Sequence, residues 1–225
     1  VLDGIVDPGH LIKCFHAFPK PDNSWWKYDN ILERKYAKND LSDVDDCLSH
    51  LIYEMCANRF VAFLERITGI PGLIVDHNLN GGGFHQITKG GKLDIHADYN
   101  YHPITKLDRR LNILLYLNPG WDPKWNGQLE LWDKNMTRCV RSIEPDFNRM
   151  VIFSTTDWAL HGHPEPLACP EGITRKSIAL YYYSNGRPDS EKSAVHSTVF
   201  KRRPQDPIIE EHEELRQKRA QRRLT

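Results

Sequence analysis

The sequence predicts a mainly β protein with flanking helices around a double-stranded β-helix, or jelly-roll, core. Three features carry that expectation. After Gly83 the chain breaks into short runs rich in β-branched and aromatic residues, FHQIT, KLDIH, RLNILLYLN, GQLELWD, RCVRSIE, RMVIFST and RKSIALYYYS, parted by Gly, Pro, Asn and Asp. Ahead of them Leu48, Leu51, Ile52, Met55, Phe60, Phe63 and Leu64 recur near helical spacing, which predicts one long helix from an N-cap at Ser42 to about Thr68, ended by Gly69. LNILLYLN and SIALYYYS are apolar on both faces, the pattern of strands covered by helices on one side and lining an enclosed site on the other.

Length and composition suit one domain over residues 1–200, followed by a charged tail or helix over 201–225. The chain has 225 residues, 40% hydrophobic and 27% charged, enough for a core that encloses a dry site. Its first 40 or so residues mix Pro, Asp, Asn and Lys with aromatics and predict an extended segment laid over that core, pinned by Trp25 and Trp26. In the tail, Ile208, Ile209, Leu215 and Leu224 are too sparse for a core face, so a solvated helix or frayed end is expected. A nucleic-acid arm on Arg216, Lys218, Arg219, Arg222 and Arg223 is diluted by glutamates at 210, 211, 213 and 214.

Basic and acidic side chains number 30 each, which removes any whole-molecule attraction to nucleic acid or an anionic membrane. No apolar run approaches the ~18 residues of a membrane span, and the opening VLDGIVDPGHLIKCF lacks the layout of a signal peptide. Cysteines 14, 47, 56, 139 and 169 are scattered, with no Cys-x-x-Cys pair, which argues against a disulfide framework or a structural zinc site. A cytoplasmic protein is expected.

His96-Ala97-Asp98 puts two metal-competent side chains two residues apart, on one face of extended backbone. Alone, such a pair arises often by chance. Its weight grows because the buried-looking strand MVIFST is followed by DWALHGH, with His161 and His163, and then by a strand opening at Arg175. Two neutral imidazoles and one carboxylate on one face of an octahedral iron(II) leave three adjacent positions open. 2-Oxoglutarate takes two of them through its 1-carboxylate and 2-oxo oxygens, and dioxygen takes the third. The distal carboxylate then lies inside the barrel, where an unpaired charge is expensive. An arginine fork meets it best. Alternation along RKSIALYYYS puts Arg175, Ser177, Ala179 and Tyr181 on one face, with Ser177 able to donate a second hydrogen bond. On an extended segment His161 and His163 share a face, so either can supply the third ligand.

The order of these parts resembles the prolyl 4-hydroxylase-like branch of the 2-oxoglutarate and Fe(II)-dependent oxygenases. The matching pieces are HAD (96–98), YLNPGWD (116–122), GQLELW (127–132), IEPDFNRMVIFS (143–154), His161 and RKS (175–177). They span about residues 80–185, and as an ordered set they are far more specific than any one of them; residues 1–80 match no motif. The resemblance implies a dioxygenase that hydroxylates a C–H bond, with His96, Asp98 and His161 on Fe(II) and Arg175, Ser177 and Tyr116 on 2-oxoglutarate. It also implies ascorbate as reductant and a prolyl residue, at C4, in a peptide or protein as substrate. A free amino acid or other small-molecule substrate is the alternative, and a non-catalytic jelly-roll binding module is the reading from another class. Asp98 argues against halogenation, since halogenating relatives carry a small residue there.

The chain departs from the family pattern at three places. His163 competes with His161; if His161 is the ligand, His163 becomes a supporting or surface residue. The interval from His161 to Arg175 is long, with PLACPEGIT as an extra loop at the rim. Gln86 stands where relatives often carry a tyrosine. Arg109 aligns with a family arginine that faces the substrate, or is a surface charge in LDRRLN, and Tyr181 either flanks the substrate or is core. His85, His102 and His196 read as structural or surface residues, and Gly81-Gly82-Gly83 as a flexible loop with no phosphate cradle.

Overall fold

The computed structural model describes residues 1–221, so Arg222, Arg223 and Leu224 of the tail lie outside the described residues. The elements run β1 (Leu2–Asp3), α1 (Pro8–His16), β2 (Trp26–Asp29), β3 (Glu33–Lys38), α2 (Asp46–Cys56), α3 (Asn58–Thr68) and β4 (Ile74–Val75). There follow β5 (Gly83–Ile87), β6 (Lys92–Ala97), β7 (Asp108–Tyr116), β8 (Leu129–Trp132), β9 (Cys139–Ile143), β10 (Arg149–Ser154) and β11 (His161–His163). β12 (Arg175–Ser184), β13 (Val199–Phe200) and α4 (Glu210–Ala220) complete the described chain. The strands form one curled antiparallel sheet in the order β1-β10-β7-β12-β5-β3-β6-β11-β8-β9, with β13 beside β6, β2 beside β3 and β4 beside β12. This is the jelly-roll arrangement the β-rich runs predict.

The two strands that are apolar on both faces sit side by side, with Ile178 opposite Leu115 and Leu180 opposite Ile113. One face of that pair, Leu111, Ile113, Leu115, Ile178, Leu180 and Tyr182, packs with Leu11, Leu48, Ile52 and Leu64 of the helices in the main core. The Tyr182 hydroxyl donates to the Met55 carbonyl at 2.6 Å, which spares a polar atom buried in that layer. The opposite face, including Asn112, Leu114, Ser177 and Tyr181, turns into a cavity enclosed by the curl. Period-two alternation thus separates core from site on the same two strands.

Three expectations for the first 70 residues are corrected. The single helix from Ser42 is two: Asp45 caps α2 by accepting from the Cys47 amide at 2.9 Å, and Ala57, at φ −68° and ψ 146°, breaks the run before α3. The apolar spacing gives the reason: after Met55 the next helical positions on that face are Asn58 and Arg59, and the stripe resumes out of phase at Phe60. Gly69 ends α3 in the left-handed conformation, φ 70°. The amino-terminal segment is not wholly extended, because Asp7 accepts from the His10 amide at 2.7 Å and Pro8 opens α1, which buries Leu11 and Cys14. Trp25 enters the core, but Trp26 is 67% exposed and pins nothing.

The carboxyl-terminal helix is docked as well as solvated. Arg216 is buried and reaches the Asp94 carboxylate at 3.1 Å, Arg219 pairs with Glu33 at 2.8 Å, and Ser197 donates to the Arg219 carbonyl at 2.7 Å. Glu210, Glu211 and Glu213 in its first turn and Lys218 and Arg219 in its last suit the helix dipole. No helix among the described residues is long and apolar enough to cross a membrane.

Two substitutions check this packing by urea denaturation. Leu115→Ala, at a fully buried position, is expected to cost about 2–5 kcal/mol. Arg216→Ala is expected to cost about 1.5–3 kcal/mol, the range for a hydrogen bond to a charged group, because Lys92 still pairs with Asp94.

Candidate active site

β6, β8 and β11 build one wall of the cavity. β11 lies between β6 and β8, and Gly162 permits the close approach to β6: a Cβ there would stand 2.7 Å from the Leu93 carbonyl oxygen and 2.8 Å from that of Asp94. The register sets His161 opposite His96, with their ring centroids 4.4 Å apart. His96 Nε2 lies 3.5 Å from Asp98 Oδ1, and His161 Nε2 lies 3.6 Å from Asp98 Oδ2. One ligating atom from each of the three residues falls within 4.8 Å of the others, and this is the one such group among the described residues.

Both imidazoles are held in the tautomer a metal needs. His96 Nδ1 donates to the Asp94 carbonyl at 2.8 Å and His161 Nδ1 to the Ala159 carbonyl at 2.9 Å, so each Nε2 carries its lone pair toward Asp98. Burial, together with the neighbouring His96, pushes His161 down to about 4, so it is neutral at pH 7. Burial alone would raise the Asp98 carboxyl, but the Arg109 guanidinium outweighs it and holds it well below the usual carboxylate range. Arg109 stands 2.9 Å from Asp98 Oδ2, and Asn112 donates to the same oxygen at 3.1 Å. Two imidazoles and one ionised carboxylate, each oriented from behind, fit a divalent ion such as iron(II).

Arg175 faces the same cavity. Its Nε donates to the Gly127 carbonyl at 2.8 Å and its Nη2 to the Tyr116 hydroxyl at 3.2 Å, with the guanidinium 4.8 Å from the Tyr116 ring centroid. A side chain at Gly127, where φ is +88°, would press on Leu167 and on Arg175 itself. Arg175 is 3% exposed, and among the described residues no carboxylate lies in ion-pair contact with it. A buried guanidinium with hydrogen bonds but no counter-ion is matched to a ligand that brings its own negative charge. Ser177 and Tyr181 line the cavity beside it, as alternation predicts. A larger cavity of about 660 Å³ lies among Leu51, Met55, Phe60 and Met150, away from this group.

The structure also relocates several residues. Arg109 is not a surface charge: it is 1% exposed, 3.5 Å from the Tyr181 ring centroid and 4.5 Å from that of Tyr99. His163 is not on the surface either; it is buried in the cavity, outside the His96, Asp98 and His161 group, and burial and the nearby Arg175 push it well below its ordinary range. Gln86 turns away from the cavity and donates to Thr174 at 2.8 Å, while its neighbour His85 faces in and is pushed down to about 3 by burial and Lys35. His102, hydrogen-bonded to the amides of Ile104 and Thr105, and His196, paired with Asp157, are structural. The extra loop after His163 is tied down, with Leu167 exchanging backbone hydrogen bonds with Gly90 and Gly91 and Cys169 fully buried. Lys35 and Asn112 were not anticipated; a lone asparagine in the apolar run LNILLYLN was the available sign of the latter.

Comparison with known proteins agrees with this geometry. Residues 82–183 match the model of the 2OG-Fe(II) oxygenase superfamily. Over 79 residues the chain is 33% identical to the prolyl 3-hydroxylase OGFOD1 of Mus musculus, a match that takes in 33% of this chain and only 14% of that protein. A prolyl 4-hydroxylase from Pseudomonas putida superposes with a TM-score of 0.56 at 15% identity, covering 82% of this chain and 91% of the other. A Trichoplax adhaerens prolyl hydroxylase, solved with a hypoxia inducible factor oxygen degradation domain peptide, gives 0.54 at 17% identity, covering 78% and 76%. The fold is that of the prolyl 4-hydroxylases, and residues 82–183, less than half of the chain, are similar to the 2OG-Fe(II) oxygenase superfamily.

Proposed function

We propose that the protein is a 2-oxoglutarate- and Fe(II)-dependent dioxygenase that hydroxylates a prolyl residue, at C4, in a peptide or protein. The observation that carries the reading is the buried, unpaired Arg175 in the same cavity as the His96, Asp98 and His161 group. In this reading those three residues hold the metal, and Arg175, with Tyr116 and Ser177, holds the distal carboxylate of the co-substrate. Iron(II), when bound, supplies dioxygen activation coupled to oxidative decarboxylation of 2-oxoglutarate, with ascorbate as reductant. The protein's share is to keep His161 neutral and Asp98 ionised, to exclude water and to orient the substrate. Tyr181 borders the substrate side, and Arg109 acts there through Asp98 and the Tyr181 ring.

The peptide bound to the Trichoplax neighbour and the prolyl activities named for the relatives support a peptidyl-proline substrate. Hydroxylation at C3 is the second reading, favoured by the mouse relative's name. A free amino acid or other small metabolite is the alternative substrate class. The five free cysteines suit a reducing compartment and support the cytoplasm as the place of this activity.

The test is succinate release from 2-oxoglutarate by the iron-loaded protein, with a library of proline-containing peptides set against free amino acids. Peptides are expected to stimulate turnover, and fragmentation of the product locates the hydroxyl at C4 or C3; stimulation by free amino acids alone rejects the peptide substrate. For the metal, His161→Ala is expected to lower manganese(II) affinity by more than the ~10–100-fold that loss of a supporting residue costs. His163→Ala is expected to leave that affinity within about threefold; the reverse pattern exchanges the two roles.

A further inference from the structure

The seat around Arg175 holds more hydrogen-bonding capacity than the reading above uses. His163 is 3% exposed and neither of its ring nitrogens has a partner among the described residues. His85 Nε2 and Asn112 Oδ1 are likewise unpartnered, and all three side chains line the same cavity. Buried polar groups left without a partner destabilise a fold, so a cluster of them around one cavity marks where a polar ligand sits.

Topology brings these groups to one place. β12, β5, β3, β6 and β11 are consecutive in the sheet, with Ser177 opposite His85, and His163 opposite Leu93. As the sheet curls, Arg175 and Ser177 on β12, His85 on β5, Lys35 on β3 and His163 on β11 all face inward. The charges fit one carboxylate at this end. Lys35 lies 3.5 Å from Glu33, so of the two cations that line the cavity Arg175 is the one with no carboxylate in ion-pair contact among the described residues.

We infer that His163 is a co-substrate-binding residue, donating a hydrogen bond to the distal carboxylate of 2-oxoglutarate beside Arg175, with His85 adjoining on the facing wall. The inference rests on the reading of this cavity as the 2-oxoglutarate seat. A neutral imidazole adds a directional donor without a second positive charge, so a single carboxylate is both neutralised and held against rotation. His163 therefore acts at the end of the co-substrate remote from the metal.

The experiment is a calorimetric titration of 2-oxoglutarate into the manganese(II)-loaded protein, with manganese affinity and the thermal midpoint measured alongside. His163→Leu is expected to weaken 2-oxoglutarate binding about 10- to 100-fold, the range for a hydrogen bond to a charged group, with manganese affinity unchanged. His163→Gln, which restores a donor near the position of Nε2, is expected to recover most of the loss. Folded His163→Leu that binds 2-oxoglutarate like the wild type overturns the inference and leaves the oxygenase reading intact. Parallel loss of manganese overturns it too, since His163 would then be a ligand. If the leucine variant does not fold, His163→Met, which also lacks a donor, takes its place, and folded His163→Met that binds 2-oxoglutarate like the wild type has the same force. Wild-type protein that binds manganese but not 2-oxoglutarate overturns both.

Discussion

Asp98 and Arg109 leave water together, and the site depends on that pairing. A carboxylate buried by itself would take up a proton and cease to be a metal ligand. Arg109 prevents this from 2.9 Å, and it stays in place because the rings of Tyr99 and Tyr181 flank it and Thr155 and Arg187 both donate to its backbone carbonyl. The flanking rings are tethered in turn, Tyr99 to the Asn80 carbonyl at 2.9 Å and Tyr181 to the Gly81 carbonyl at 2.7 Å. The loop read as merely flexible is thereby tied to Tyr99 and Tyr181. A guanidinium between two aromatic faces keeps its charge while losing its water, and few other surroundings allow that so deep in a protein.

The site is rigid because it is written on strands that also make the core. β7 and β12 present Ile113, Leu115, Ile178 and Leu180 to the helices and Asn112, Ser177 and Tyr181 to the cavity. A slip of one residue in either strand would exchange the two sets, so the packing that stabilises the fold also fixes which groups meet the ligands. Arg175 opens β12 and draws its hydrogen bonds from Gly127 and Tyr116, on segments that precede it by 48 and 59 residues. Sites supported this way keep their geometry better than sites carried on loops.

What could be read from the chain alone follows the strength of each physical pattern. The strands β5 to β10 and β12 were legible because alternation and turn residues recur, whereas the three-residue β11 was read only as an extended segment, and the meeting of His96, Asp98, His161 and Arg175 in one cavity was legible because few other chemistries need that combination. β3 was not: Glu-Arg-Lys-Tyr-Ala-Lys has little β preference, and its place between β5 and β6 comes from tertiary pairing. α1 was passed over although Asp7-Pro8 is a helix opening, because the surrounding prolines and aromatics suggested a strap. The break at Ala57 needed the phase of the apolar stripe and not only its presence. His85 and Gln86 differ by one position, and nothing but the register of β5 decides which of them looks into the cavity.

Asp94 serves two masters through one peptide unit. Its carboxylate receives Arg216 from α4, and its carbonyl receives the Nδ1 proton of His96, while Phe200 lies with its ring centroid 5.4 Å from that of His96 and Lys201 donates to the Ile95 carbonyl. Undocking the distal helix would thus reach an imidazole more than a hundred positions earlier without any rearrangement of the barrel. A change confined to this helix is for that reason not a neutral change for the histidine.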